Sequence, residues 1–174
     1  LKTSLDTDIL WNSWTTFRSK SIYQDTLSMG ISDINSMTFE AIWEYNKGKD
    51  IQSDHLKLAF EQKNRCTEQV NEIFDKFDFL ALPSAQLFPF DKSIQYPSKI
   101  NDINLDTYHR WLEVFILSSL LDLPTITIPV GFNENGLPMG MQIIAKNKDD
   151  LKLFAFAKIF EEIYNNSKHK PKLK

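Results

Sequence analysis

The sequence predicts an α/β protein in which helices cover a small β-sheet. Apolar runs at residues 125–130 and 139–145 flank a turn, a third short apolar run ends at Pro83, and most remaining segments have helical periodicity. Three strands are few for 174 residues, since an average sheet has about five or six. Because the first residue is also Leu1 rather than Met, we expect part of a larger sheet, with further sequence upstream.

The runs at 125–130 and 139–145 are predicted to be strands covered on both faces, because neither alternates between polar and apolar residues. Between them, Asn135-Gly136 favours a turn with positive φ, and Pro138 fixes φ where the second strand begins. A third strand is predicted at 78–83. The paired runs also contain glycines that leave room for a bulge or a close backbone approach, namely Gly131 and Gly140.

Helices are predicted where apolar residues recur every three or four positions. They cover residues 5–20, 38–45, 53–77, 107–120 and 149–164. The predicted N-caps are Asp6 or Thr7, Thr38 and Ser53, and Gly48 is expected to stop the second helix in a left-handed turn. The last helix is expected to bury one apolar face, formed by Leu151, Phe154, Ala155, Ile159 and Ile163.

Two segments before the paired strands differ in character. Residues 84–104 contain Pro89 and Pro97 and have no regular period, so we predict a long loop, and long loops are often functional. The helix at 107–120 is apolar almost all round after Trp111 and is therefore expected to be buried.

Composition narrows the class of function. The formal net charge is −3 and residues 168–174 form only a short basic tail, so no nucleic-acid partner is expected. A single cysteine, Cys66, excludes an internal disulfide framework and fits a reducing, cytoplasmic compartment. No apolar run approaches the roughly 20 residues that span a bilayer, so no membrane partner is expected.

No complete catalytic apparatus can be assembled from the residues alone. Ser118-Ser119 has no lysine or histidine at a helical step, so helix packing explains the pair better than nucleophilic catalysis does. Nothing in the sequence near Cys66 activates its thiol for a pairing with His109. The three histidines lack metal-ligand spacing, and no Gly-rich phosphate loop is present, so neither a metal nor a cofactor is predicted.

Several segments resemble, in order and spacing, the C-terminal part of the amidase signature family. The resemblance runs from about residue 38 to residue 164, and more weakly back to Trp11. It defines one segment of an amidase-type domain over 1–174, with a weakly matched helical lead-in (1–37), a matched core (38–164) and a basic tail (165–174). The matching stretches are LPTITIPVGF with GLPMGMQIIA (123–145), FDFLALPSAQLFPFD (77–91), YHRWLEVF (108–115), the helix residues Gly48, Ser53, Ala59 and Arg65, and the closing helix from Asp149.

The resemblance implies an amide hydrolase with a Ser–Ser–Lys triad, in which a lysine activates a bridging serine and the latter activates the nucleophile. In the family this machinery lies in the N-terminal half, and neither its lysine segment nor its Gly/Ser-rich signature is present here; Ser118-Ser119 matches no triad position. The resemblance therefore implies an incomplete amidase-type fold, namely part of a mixed β-sheet covered by helices. We expect the chain alone not to hydrolyse amides. The implied partners are an N-terminal amidase segment, in the same or a separate chain, and a small-molecule amide substrate.

The resemblance also implies which residues face substrate. These are Pro83, Ser84 and Ala85 after the first strand, and Trp111 and Phe115 on the following helix, although core packing explains the two aromatics equally well. Two other functions stay open: a stand-alone, non-catalytic binding or assembly module, and an independent enzyme that uses Cys66 or His109. A homo-oligomer is compatible with any of them.

Overall fold

The structure, a computed structural model, describes residues 5–165 and 168–169. The chain divides into two compact units, Leu1–Val70 and Asn71–Lys174, and the division falls near the end of a long helix. Most of the predicted basic tail lies outside the described residues.

The first unit is helical and consists of α1 (Thr7–Ser28), a 3-10 turn (Ile34–Ser36), α2 (Phe39–Lys49) and most of α3 (Ser53–Phe74). Asp6 caps α1 by accepting from the N–H groups of Asp8 and Ile9, and Thr38 caps α2 by accepting from that of Ala41, as predicted. Ser53 is not a cap, because α3 begins at Ser53 itself. Helix α1 also runs eight residues beyond its predicted end at residue 20.

Gly48 marks a close contact between α1 and α2 rather than the end of a helix. The residue lies inside α2, without positive φ, so the predicted left-handed stop is wrong. A Cβ at this position would lie 2.0 Å from the carbonyl oxygen of Ser19 on α1. Beside this crossing the fully buried Glu44 accepts from Arg18 Nε at 2.8 Å and from the hydroxyl of Ser19.

The second unit contains the β-structure. Its elements are β1 (Phe79–Pro83), β2 (Lys99–Ile100), β3 (Ile103–Asn104), a 3-10 helix (Arg110–Phe115), α4 (Ile116–Leu120), β4 (Thr125–Phe132), β5 (Pro138–Ala145) and α5 (Asp150–Tyr164). The order of the main sheet is β1-β5-β4, with β5 antiparallel to both neighbours, and β2 and β3 form a separate two-stranded hairpin. The three predicted strands are confirmed, but β4 is not covered on both faces as expected, because Thr125, Thr127, Pro129 and Val130 are exposed. In β5 the residues from Gln142 to Ala145 are buried on both faces. The predicted loop at 84–104 contains the whole β2–β3 hairpin, and residues 110–115 of the predicted helix at 107–120 form a 3-10 helix.

The turn between β4 and β5 follows its sequence closely. Asn133 Oδ1 accepts from the N–H groups of Asn135 and Leu137, and Gly136 has a φ of 73°. The register shifts by one residue between Pro129 and Gly131, where Gly131 has a φ of 138°, which confirms the bulge.

Helix α5 packs on the sheet with the face opposite to the predicted one. Leu153 is buried with Ile128, Ile143 and Ala145, and the partly buried Phe156 and Phe160 join this cluster. The predicted core face points outward: Leu151 is 85% exposed and Ile163 is 68% exposed, and Phe154, Ala155 and Ile159 are also exposed. The prediction failed because α5 carries apolar residues around most of its circumference, so periodicity offered two candidate faces.

Candidate substrate-facing site

The first predicted site segment follows directly from the edge strand β1. Pro83 is exposed at the end of β1, and Ser84 and Ala85 are half-buried. The N–H of Ser84 donates to the carbonyl oxygen of Gly140 on β5 at 2.9 Å, and the N–H of Gly140 donates to Ser84 Oγ at 3.1 Å. Both the backbone and the side chain of Ser84 are therefore anchored to the central strand.

This anchoring requires a glycine at position 140. A Cβ there would lie 2.6 Å from Ser84 Oγ and 3.0 Å from Thr127 Cγ2. A side chain would therefore displace Ser84 or the neighbouring strand β4. The predicted close backbone approach at Gly140 is confirmed.

The second predicted segment is the 3-10 helix with Trp111 and Phe115, both half-buried. The ring of Trp111 packs edge-to-face on that of Phe90, with a centroid separation of 5.5 Å and an interplanar angle of 84°. Phe90 is 37% exposed, so the pair lies at the surface of this unit rather than in its core. The sequence interpretation missed Phe90, although its position in the proline-containing loop was a usable signal.

The side chain of Gln142 bonds to both segments. Gln142 on β5 is 1% exposed, and its Nε2 donates to the carbonyl oxygens of Pro83 at 2.9 Å and Val114 at 3.0 Å. Through Gln142 the structure brings the start of the 84–104 segment and the 3-10 helix onto the same strand. Sequence reasoning did not single out this residue.

The surroundings of the other candidate catalytic residues, Cys66, Ser118 and His109, are explained by packing and local hydrogen bonding. Burial raises the pKa of the Cys66 thiol, which favours the unreactive protonated form. Ser118 Oγ donates to the carbonyl oxygen of Phe115 at 3.2 Å, and His109 is buried against the ring of Tyr108. Within residues 5–165 and 168–169 there is no group of three or more His, Cys, Asp or Glu side chains that could hold a metal ion, and no helix combines the length and apolar character of a membrane span.

Comparison with solved structures identifies the class of fold. A bacterial aryl acylamidase of the amidase signature enzymes superposes with a TM-score of 0.77 and 19% identity, over 98% of this chain and 38% of the acylamidase chain. The fold is therefore part of an amidase-type α/β fold.

The family follows from the sequence itself. The family model described as Amidase matches residues 14–154, and the chain belongs to this family. It is 27% identical over 109 residues to a glutamyl-tRNA(Gln) amidotransferase subunit from Thermotoga maritima, covering 62% of this chain and 21% of the relative. It is 31% identical over 101 residues to a fatty acid amide hydrolase of Oryza sativa subsp. indica, covering 58% and 16%. The aligned part thus spans about a fifth of the length of these relatives.

Proposed function

We propose that this chain is the C-terminal, substrate-pocket-completing part of an amidase-family carbon–nitrogen hydrolase. Its catalytic Ser–Ser–Lys residues lie on an N-terminal segment, in the same or a separate polypeptide. One observation carries the proposal: nearly the whole chain, 98%, superposes on only 38% of an acylamidase. Because the chain corresponds to only this share of the acylamidase fold, we infer that the rest of the fold is needed for catalysis.

The open edge of β1 supports a docking role for the remainder. Ser84 bonds to Gly140 across the pair, so alternate residues of β1 face β5 and the intervening ones face outward. Phe79 and Ala81 therefore direct their N–H and C=O groups away from the sheet, where the described residues supply no further strand. An extended segment of the N-terminal part is the occupant that we propose for this edge.

The outer face of α5 supports the same role. Leu151, Phe154, Ile159 and Ile163 are each more than half exposed on this one helix. Contiguous exposed apolar side chains of this size mark surfaces that bind another protein segment. We assign this face to contact with the N-terminal part as well.

The substrate in this proposal is a small-molecule amide in a cytoplasmic enzyme. Pro83, Ser84, Trp111 and Phe115 face its acyl group, and Phe90 extends the aromatic surface that Trp111 begins. Apolar and aromatic lining suits a hydrophobic or aryl acyl group.

A stand-alone, non-catalytic module is the second candidate. The specific observation in its favour is that each unit has internal buried contacts of its own, around Glu44 in the first and around Ile143 and Leu153 in the second. A domain of this size can bury enough surface to fold alone.

Two measurements test the proposal. The first is hydrolysis of an aryl amide, p-nitroacetanilide, by the isolated 174-residue chain, for which we expect none; turnover by this chain alone would refute the assignment of the catalytic residues elsewhere. The second is the mass of the polypeptide that carries this sequence in its source cells. A mass well above that of 174 residues supports one continuous amidase. A mass equal to it, with no co-purifying amidase segment, supports the stand-alone module instead.

A further inference from the structure

Gln142 occupies an unusual position for a polar side chain. It lies in the middle of β5, in register with Leu82 on β1 and Thr127 on β4, and only 1% of its surface is exposed. Its neighbours along the strand, Ile143 and Ile144, are buried and apolar. An apolar residue of similar volume would suit this site if packing alone determined it.

The hydrogen bonds of Gln142 fix the orientation of its amide group. Both partners of Nε2 are backbone carbonyl oxygens, which accept only, so the nitrogen rather than the oxygen must face them. The carbonyl oxygens belong to Pro83 and Val114, which are far apart in the chain. Oε1 is buried and receives no donor from the described residues, so donation, not acceptance, is what this amide provides.

We propose that Gln142 is the positioning residue of the substrate-facing wall. By donating to both carbonyl oxygens it sets the separation between the segment that starts at Ser84 and the 3-10 helix that carries Trp111 and Phe115. This proposal rests on the proposed function in one respect only, namely that the two segments face substrate. The coupling between them is a property of this chain and can be measured without substrate.

Gln142 and Gly140 act on the same segment from different positions. The backbone N–H and C=O groups of Gly140 bond to Ser84, and these two bonds do not involve the 3-10 helix. The two hydrogen bonds of Gln142 reach the end of β1, directly before this segment, and the 3-10 helix. Loss of the amide should therefore release both segments together while β4 and β5 stay paired.

The experiment uses the 174-residue chain labelled with 5-fluorotryptophan. Of its four tryptophans only Trp111 lies in the second unit, and Trp111→Phe assigns its fluorine resonance. Gln142→Met keeps the volume and removes both donors, and Gln142→Glu keeps the shape but can donate only when protonated. Thr127→Val, opposite Gln142 on β4, is the matched control.

We expect Gln142→Met to shift the Trp111 resonance and to raise amide hydrogen exchange by about tenfold in peptides covering 84–87 and 112–116, with exchange at 143–145 unchanged. In Gln142→Glu the Trp111 resonance should titrate with pH and approach the wild-type position when the carboxyl is neutral. Burial raises the pKa of such a carboxyl above its usual value of about 4.3, so this occurs at accessible pH. Wild type, Gln142→Met and Thr127→Val have no carboxyl at position 142, so the difference between their pH curves and that of Gln142→Glu isolates its contribution.

Some outcomes overturn the positioning role. They are exchange that rises in one segment only, a Thr127→Val effect equal to that of Gln142→Met, and a Gln142→Glu variant whose Trp111 resonance moves with pH no more than that of wild type. If Gln142→Met does not fold, the titration of Gln142→Glu decides alone. Failure of the chain to take part in amide hydrolysis would refute the proposed function and leave the coupling result standing.

Discussion

Replacing Gly48 with alanine tests how α1 and α2 meet. At an exposed helix position this change stabilises a protein by about 0.5–1 kcal/mol, because glycine loses more backbone entropy on folding. Here the new Cβ would lie 2.0 Å from Ser19 O and 2.7 Å from Tyr23 Cβ, and a backbone oxygen cannot move without moving α1. We therefore expect the opposite sign.

The magnitude follows from two contributions. Forcing apart two packed helices costs about 1–3 kcal/mol. The movement also stretches the bonds from Arg18 and Ser19 to the buried Glu44, and each such bond to a charged group contributes about 1.5–3 kcal/mol. Because Arg18 is 41% exposed and can be solvated by water, we count only one of them. After subtraction of the helix-propensity gain, the net loss is about 1.5–5.5 kcal/mol.

Urea unfolding followed by far-UV circular dichroism measures this loss. The matched control is Asn46→Ala, at an exposed position of α2, which should be neutral or slightly stabilising. A Gly48→Ala variant as stable as the control would show that the helices can separate without penalty, and the reasoning from close approach would then be wrong.

Three further results are expected. Ser84→Ala removes the acceptor for the N–H of Gly140 and should lower the free energy of unfolding, measured by urea titration, by about 1 kcal/mol. A loss below measurement error would mean that water replaces the hydroxyl. Burial raises the folded-state pKa of Cys66 above its ordinary value of 9.0. The contribution of this thiol to the free energy of unfolding is therefore fully present below pH 9 and is lost as the pH rises through the folded-state pKa. Between about pH 8 and about pH 11 the free energy of unfolding should fall more steeply for wild type than for Cys66→Ala, and parallel curves would contradict this. Leu153→Ala should lower the free energy of unfolding by about 2–5 kcal/mol, whereas Leu151→Ala should change it by less than about 0.5 kcal/mol. Equal losses for the two variants would contradict the observed orientation of α5.

Features that depend on local sequence were predicted well. The strands, the turn at Asn133 to Gly136 and the caps at Asp6 and Thr38 depend on residues within a few positions of one another. The turn glycine acts through its own φ, and a capping side chain accepts from N–H groups two or three residues further on, so the nearby sequence contains the whole cause. The stretches that resemble the amidase family led to the correct fold class for the same reason, since several of them keep their order and spacing.

Features set by contacts between distant segments were missed. Gly48 looks like a helix stop because the sequence cannot show that α1 crosses it. The strand at 139–145 was predicted to be covered on both faces, but nothing in the sequence indicates the two distant carbonyl partners of Gln142. The orientation of α5 depended on which of two apolar faces fits the sheet, and helical periodicity is the same for both. The substrate-facing role of Pro83, Ser84, Trp111 and Phe115 stays a prediction.

The open edge of β1 has a consequence for how this chain behaves in solution. Outward backbone groups at Phe79 and Ala81, in a strand without a charged residue, are a template onto which another strand can add. A second copy of the chain can satisfy those groups, and this pairing is favoured by high protein concentration rather than by specific recognition. Expression at high level would therefore drive the chain towards inclusion bodies. Dilution, or a short β-strand peptide supplied in excess, should keep it dispersed.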